Sequence, residues 1–496
     1  MIDFILKFLV FVLSLHTSIK LTHLYQLKDY NALRYLKSIA HILMLLSTVF
    51  FTLFVVRFFS PLNIYILTCS LLLCHFLLNF ILPKSKKTPL NITNKIKRTI
   101  FIQVIILFVS IFSIYSFILY EIILCLSPVI SNTFNIYDKL KNKKYIRLAQ
   151  QRIKSMNVKI IAITGSNGKT SVKNILTSFL NLKYPTIATP ASFNTPLGIA
   201  KFINNIDKTV EIVVLEFGAR RIGDIKKLCN LFTPDYGIIT MVGDQHLATF
   251  KTYKNILQTK KELSDFLHDK PCVYNLDNLG TNSMFQTKQG AKAGISLHEN
   301  SSDIFAKNIS IKSCETHFEL CNNKKLYHCK TKLLGRHNIT NILLAYTMAK
   351  IFDIDDEKII DEIYKIEQTP HRLSLIVTDI YILDDTYNCS LSSASESLAV
   401  LSQMSNKKMV VTPGIIEGGK YEYSINKTLG QKLSKFDYVV IVGKHNKDSI
   451  LSGLKENKYN KKILLANTIE DAKQYFKLLN KFDTLLLLND LPDDYN

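Results

Sequence analysis

Hydrophobic positions are spread unevenly along this 496-residue chain. In the first quarter they run together, in four stretches at roughly 2–19, 38–59, 62–82 and 99–131. Stretches of that length match the ~30 Å of hydrocarbon that a transmembrane helix must cross. They predict an all-α transmembrane region over residues 1–145. The first stretch could be a signal peptide. It has no convincing small-residue cleavage site and more apolar runs follow, so an anchor is the expectation. The fourth carries Glu121 and is long for one crossing, which leaves the count at four or five spans.

Beyond about residue 145 the pattern changes. Short apolar, β-branched runs alternate with helical periodicity. "VKIIAITG" (158–165) is followed by "KTSVKNILTSFLNL", and "EIVVLEFGA" (211–219) and "YGIITMVGDQHL" (236–247) recur at βα spacing. "KKMVVTPG", "DYVVIVG" and "DTLLLL" repeat the theme near the C-terminus. Buried-type strands alternating with helices predict α/β architecture with parallel sheets. The expected division is a central domain over 146–366 and a Rossmann-like domain over 367–496.

Composition and charge alter this picture little. The net charge of +22 could signal an anionic partner. No basic run is interleaved with aromatics in the manner of a nucleic-acid groove, so no nucleic-acid partner is expected. Lysine-rich flanks follow the first, third and fourth apolar stretches, and the positive-inside rule places such flanks in the cytoplasm. Nine cysteines without a C-x-x-C pair fit a reducing compartment rather than a disulfide scaffold. Cys314, His317, Cys321, His328 and Cys329 cluster in sequence and could ligate a metal. The same stretch alternates as a hairpin around Asn322-Asn323, which is the preferred reading.

The chemistry is concentrated in "ITGSNGKTS" (163–171). Strand, glycine-rich turn and helix form the setting of a phosphate-binding loop. Gly165, Ser166, Asn167 and Gly168 would aim backbone amides at phosphate oxygens, aided by the helix N-terminus. Lys169 would reach the outer phosphates, and Thr170 and Ser171 follow it. Position 163 is isoleucine where the longer Walker pattern has glycine. Glu216 and His246 lie near the ends of the next strands, and C-terminal strand ends gather on one edge of a parallel sheet. A carboxylate and an imidazole there would suit Mg²⁺ held against phosphates.

The motifs "ITGSNGKTS", "TPASFNTPLG" (189–198), "EFGARRIGDI" (216–225), "TMVGDQHLATF" (240–250), "TKKEL" (259–263), "NLDN" (275–278), "LLGRHNITNILLA" (333–345), "PHRL" (370–373), "DDTYN" (384–388) and "VVTPGIIEGG" (410–419) occur in this order. Over about residues 145–496 the chain resembles the Mur ligases, most of all their D-alanyl-D-alanine-adding branch. The short loop TGxxGKT[ST] of that family accounts for Ile163.

The resemblance implies a P-loop ATPase domain followed by a Rossmann-like ligase domain. It implies an ATP-dependent, ADP-forming carboxylate–amine ligase working through an acyl phosphate, with ATP and Mg²⁺ as cofactors. Lys169, His246, Lys260 and Arg372 would be catalytic. Thr170, Glu216, His246 and Lys260 would serve metal sites, Lys260 as a carbamylated lysine with neighbouring Lys261 as the alternative. Asn275, His337, Asn338 and Asn341 would lie on the adenine side, and Arg372 and Asp385 would reach the nucleotide from the C-terminal domain. Asn194, Thr195, Tyr387 and Asn388 would face the substrates.

The implied substrates are a UDP-MurNAc-peptide or related carboxylate acceptor and D-Ala-D-Ala or another amine. Apolar stretches stand where the family has a UDP-sugar-gripping domain. The expected location is therefore the bacterial inner membrane, multi-pass, with the lipid bilayer as partner and the ligase domains facing the cytoplasm. "DDTYNCSL" departs from D-D-x-Y-N-A-N-P, and "GIIEGG" from GMIELG. Other readings are a membrane-anchored Mur-like ligase such as one making poly-γ-glutamate, and a P-loop ATPase regulating a membrane partner.

Overall fold

The computed structural model describes residues 15–26, 35–40, 92–110, 126, 135–190, 193–243, 247–299, 301–312, 314–323, 325–387, 389–416 and 418–490. These fall in two compact units that divide between residues 142 and 143.

In the first unit, 15–26 and 35–40 are helical, as is Asn94–Ser110. Thr22 Oγ1 donates to Gln103 Oε1 at 3.1 Å in a buried polar contact. The expected all-α transmembrane region is overturned here. Among the described residues, no helix is long and apolar enough to cross a membrane. Helix Asn94–Ser110 is described over 17 residues and opens on Asn94, Lys95, Ile96, Lys97 and Arg98. Stretch 62–82 and most of 2–19, 38–59 and 111–131 lie outside the described residues. The multi-pass placement in a bacterial inner membrane, with the bilayer as partner, rested on those spans and falls with them.

The second unit holds two sheets. The larger has nine strands in the order β2-β3-β1-β4-β5-β6-β7-β8-β9. These are β1 (Lys159–Thr164), β2 (Thr186–Ala188), β3 (Ile212–Glu216), β4 (Tyr236–Ile239), β5 (Cys272–Asn275), β6 (Lys292–Ser296), β7 (Ile304–Lys312), β8 (Glu315–Asn322) and β9 (Lys325–Thr331). The strands from β2 to β7 pair in parallel, while β7, β8 and β9 are antiparallel. A parallel strand is covered on both faces and so reads as a continuous apolar run. In β1, Ile161 and Ile163 enter one core while Ile160 and Ala162 enter the other.

Helix α1 (Lys169–Leu180) buries Val172, Ile175, Leu176, Phe179 and Leu180 in the first core. It packs there with α4 (Arg336–Ile351), which is buried almost all round from Asn338 to Ala349. A helix apolar on every side belongs inside a protein, and this burial fixes the residues of its first turn. On the opposite face, α2 (Pro196–Ile203) and α3 (Tyr253–Leu267) supply Ile199, Ile203, Ile256, Leu263 and Leu267. Thr195 caps α2 by accepting from Gly198 N at 3.3 Å, with Pro196 at the favoured first position.

The Cys/His stretch folds as the expected hairpin. Strands β8 and β9 pair from Thr316↔Thr331 to Asn322↔Lys325, with Asn323 left-handed at the turn (φ 45°). Cys321 and Cys329 are buried as small apolar groups, and burial pushes the Cys329 thiol up to about 12. Among the described residues, no group of three or more His, Cys, Asp or Glu could hold a metal ion.

The second sheet has the order β10-β11-β15-β12-β13-β14. Its strands are β10 (Ser374–Val377), β11 (Tyr381–Asp385), β12 (Lys408–Thr412), β13 (Tyr438–Val442), β14 (Lys462–Ala466) and β15 (Thr484–Leu488). All pair in parallel except β10 with β11. Helix α5 (Leu391–Gln403) buries Ala394, Leu398, Val400 and Leu401 in the core on one face of this sheet.

Candidate active site

The turn after β1 is drawn tightly onto the end of β4. Ser166 N donates to Met241 O at 2.8 Å, Gly243 N donates to Ser166 Oγ at 2.9 Å, and Thr240 Oγ1 donates to Asn167 O at 2.5 Å. This closeness explains the two glycines. A Cβ on Gly165 (φ 150°) would sit 1.9 Å from Thr240 Oγ1, and one on Gly168 (φ 83°) would sit 2.6 Å from Asn341 Oδ1. Gly165→Ala is expected to weaken nucleotide binding at least about tenfold and to cost roughly 1–3 kcal/mol of stability by overpacking. Titration with a fluorescent ATP analogue and thermal unfolding check both effects. Unchanged values for both would show that the loop tolerates the methyl group.

Lys169 opens α1 and folds back over the loop, donating to Gly165 O at 2.7 Å and Ser166 O at 2.8 Å. Burial lowers its ammonium to about 8, with nearby Arg372 acting in the same direction and Glu216 opposing. Strand register places Glu216 directly beside Ile163. Its carboxylate is 2% exposed. There Oε2 accepts from Thr170 Oγ1 at 2.8 Å, and Oε1 accepts from Asn194 Nδ2 at 3.1 Å. A buried carboxylate and a hydroxyl oxygen side by side form a hard-oxygen donor set that fits Mg²⁺.

Two cavities meet at this loop. The larger, about 540 Å³, is walled by loop residues Ser166 to Ser171 and by Asn194 and Glu216. Asn275, His337, Asn338 and Asn341 line it further along, and Arg372, Asp385 and Tyr387 enter from the second sheet's side. His337 Nδ1 is buried without a hydrogen-bond partner; Glu396 Oε2 stands 3.8 Å away, beyond hydrogen-bond reach. Arg372 stacks over the Tyr387 ring at 4.3 Å. It sits between two left-handed residues, His371 (φ 63°) and Leu373 (φ 53°). Asp385 Oδ2 accepts from Ser397 Oγ at 2.5 Å, and burial raises its carboxyl above the usual range. Asn167 Nδ2 donates to Ser390 Oγ at 3.3 Å, joining the loop to the start of α5.

The smaller cavity, about 420 Å³, is lined by Gly165, Thr195, Arg220, Lys227 and Lys260. It shares Ser166, Lys169, Asn194 and Tyr387 with the larger one. Lys260 lies on α3 and is 4% exposed. Burial, then the charge of Lys169, lowers its amine to about 7.

Apart from Lys261, the alternative to Lys260, every predicted site residue among those described lines one or both cavities. His246 and Asn388 lie outside the described residues. Lys173, whose Nζ is 3.5 Å from Glu216 Oε2, was not among the residues expected at the site. Its signal was the i, i+4 spacing from Lys169, which puts both on one helix face. The serines of α5 were not expected there either; Ser390 and Ser393 form a capping box at the loop contact.

Residues 163–349 match the Mur ligase middle domain. UDP-N-acetylmuramoyl-tripeptide–D-alanyl-D-alanine ligase of Buchnera aphidicola subsp. Baizongia pistaciae is 30% identical over 329 residues, covering 62% of this chain and 71% of that protein. The chain belongs to the Mur ligase family. The members of that family are ATP-dependent, ADP-forming peptide ligases. The Bacillus subtilis enzyme of the same name is 27% identical over 305 residues, covering 60% of this chain and 65% of that protein. Among solved structures, MurF from Acinetobacter baumannii shares the fold with a TM-score of 0.64 at 23% identity, over 70% of this chain and 77% of that one. MurF ligase from Thermotoga maritima, solved in complex with ADP, superposes with a TM-score of 0.62 at 25% identity, over 70% of this chain and 80% of that one.

Proposed function

We propose that this Mur ligase joins D-Ala-D-Ala to the carboxylate of a UDP-MurNAc-tripeptide, consuming ATP. What carries the reading is the shared wall. Lys169, Ser166, Asn194 and Tyr387 line both cavities, so a nucleotide in one and a carboxylate in the other would meet at the loop. The carboxylate oxygen attacks the γ-phosphorus and ADP leaves, giving an acyl phosphate. The amine nitrogen then attacks the acyl carbon, loses a proton, and inorganic phosphate departs. Phosphoryl transfer asks the protein mainly for positioning and charge neutralisation.

In this reading Gly165 to Gly168 cradle the phosphates, and Lys169 swings from its carbonyl partners to the β,γ-oxygens. Asn275, His337 and Asn341 hold the base, the orphaned His337 Nδ1 being ready for a polar partner. Asn194 and Thr195 face the carboxylate, and Asp385 and Tyr387 face the incoming amine, the role that the motif also assigns to Asn388. Glu216 and Thr170 would hold Mg²⁺, with His246 and carbamylated Lys260 at a second position. The metal would supply neutralisation of phosphate charge. The proposed division into a nucleotide domain to residue 366 and a ligase domain from 367 places Arg372 just after the junction, where closure would bring it onto the phosphates.

The test is purified protein with ATP, Mg²⁺, UDP-MurNAc-tripeptide and D-Ala-D-Ala, with the pentapeptide product detected by mass. Phosphate release only with other amines, such as glutamate, would overturn the reading. Arg372→Lys keeps the charge but loses the planar stack on Tyr387. It is expected to lower kcat about tenfold with little change in the KM for ATP, since the stack orients a group needed in the transition state. A kcat within twofold of wild type would remove Arg372 from the chemistry.

A further inference from the structure

The reaction described above makes no use of Lys173, although it is among the most deeply buried charged groups of the protein. It lies one helical turn after Lys169 on α1, with its side chain 1% exposed. Its ammonium is 3.5 Å from Glu216 Oε2, the same oxygen that accepts from Thr170 Oγ1 at 2.8 Å. A buried ammonium is tolerated only beside a compensating charge, and so is a buried carboxylate. Thr170 and Asn194 give Glu216 neutral donors, and Lys173 gives it a positive one. The lysine therefore stands at the oxygen that a divalent cation would need.

We propose that Lys173 is a positioning residue: the built-in counter-cation of Glu216, which keeps that carboxylate aimed at Thr170 when no metal is present, and competes with Mg²⁺ for it. The inference rests on the reading that Glu216 and Thr170 hold Mg²⁺. Competition for one oxygen has two linked consequences, because coupling between two binders is reciprocal. The lysine weakens the metal's grip, and the metal weakens the lysine's hold on Glu216. A site so built binds the free cation loosely and keeps its shape between turnovers. Removing the charge of Lys173 leaves the metal as the carboxylate's main positive partner. The metal-free protein should lose stability while the metal binds more tightly.

The probe is Mn²⁺ alone, titrated into the full-length protein and followed by the electron paramagnetic resonance of the free ion. Thermal unfolding is recorded in EDTA and with Mn²⁺. Lys173→Met is expected to bind Mn²⁺ about tenfold more tightly than wild type, to unfold at lower temperature in EDTA, and to gain more from Mn²⁺. Lys173→Arg should restore wild-type affinity. Lys173→Gln should repeat the methionine result, and serves if Lys173→Met does not fold. Folding of either neutral variant only when Mn²⁺ is supplied also supports the proposal. Equal or weaker Mn²⁺ affinity in the neutral variants overturns it, as does failure of both to fold with Mn²⁺ present. Glu216→Gln separates the two levels. If it binds Mn²⁺ as wild type does, or if wild type binds none, the metal reading itself fails.

Discussion

Lys169→Met is expected to lower kcat about a thousandfold, a loss of roughly 4 kcal/mol of transition-state stabilisation. Charge spreads over the equatorial oxygens of the transferring phosphoryl group, and Lys169 is the ammonium built into the loop that cradles them. Its Nζ donates to Gly165 O and Ser166 O, so reaching phosphate oxygens means exchanging those carbonyls. Methionine matches the stem in length and apolar character, so the fold should survive. A pH dependence follows. Burial holds its ammonium at about 8. Phosphates bring opposite charge and favour the protonated form. ATP binding should therefore be strongest below about pH 8 and weaken above it, where a proton must be taken up with the nucleotide. Calorimetry in buffers of different ionisation enthalpy reads that uptake directly. A kcat for Lys169→Met within tenfold of wild type would sink the role.

How much of this was legible in the sequence depends on the kind of signal. The loop was legible because its glycines answer to local geometry: Gly165 and Gly168 sit where any Cβ would strike Thr240 or Asn341. Glu216 was legible because an apolar run ending in an acid marks the end of a buried strand, and those ends converge in a parallel sheet. The α/β character of both sheets followed from the same runs. Lys173 had only the weak signal of its i, i+4 spacing from Lys169, because a lysine inside an amphipathic helix ordinarily faces water. Only the packing of α4 over α1 and the register of β3 beside β1 put it in the interior next to Glu216. The apolar first quarter misled for a related reason. Mean apolarity over a window does not fix where a helix begins and ends. The first turn of helix Asn94–Ser110 holds Asn94, Lys95 and Lys97 beside Ile96. The departure noted in "DDTYNCSL" (384–391) reached only Ser390, yet Ser390, Ser393 and Ser397 supply the cap of α5 and the partners of Asn167 and Asp385.

Lys260→Ala is expected to reduce kcat by about a hundredfold or more, and short carboxylic acids such as acetate should restore part of the loss. Lys260 is almost fully buried on α3, and burial and the charge of Lys169 bring its amine to about 7. Only the neutral amine attacks CO₂. The new N–C bond forms as one C=O π bond opens, the nitrogen loses a proton, and the neutral amine becomes a carbamate anion. An unperturbed lysine, near 10.4, is almost wholly protonated at neutral pH. One held near 7 is about half neutral there, so the reaction is open at physiological pH. The carbamate would also replace one of two like charges, since it would stand where an ammonium repelled Lys169. The sign of the pH effect is set by the depressed value: activity should fall as pH drops below about 7 and the amine protonates. Added bicarbonate should oppose that fall, and CO₂-free buffer should deepen it. Incubation with ¹³C-labelled bicarbonate should give a carbamate resonance in wild type that Lys260→Ala lacks and Lys261→Ala retains. Absence of that resonance, together with activity indifferent to CO₂, would leave Lys260 as a buried structural amine and assign the alanine effect to packing.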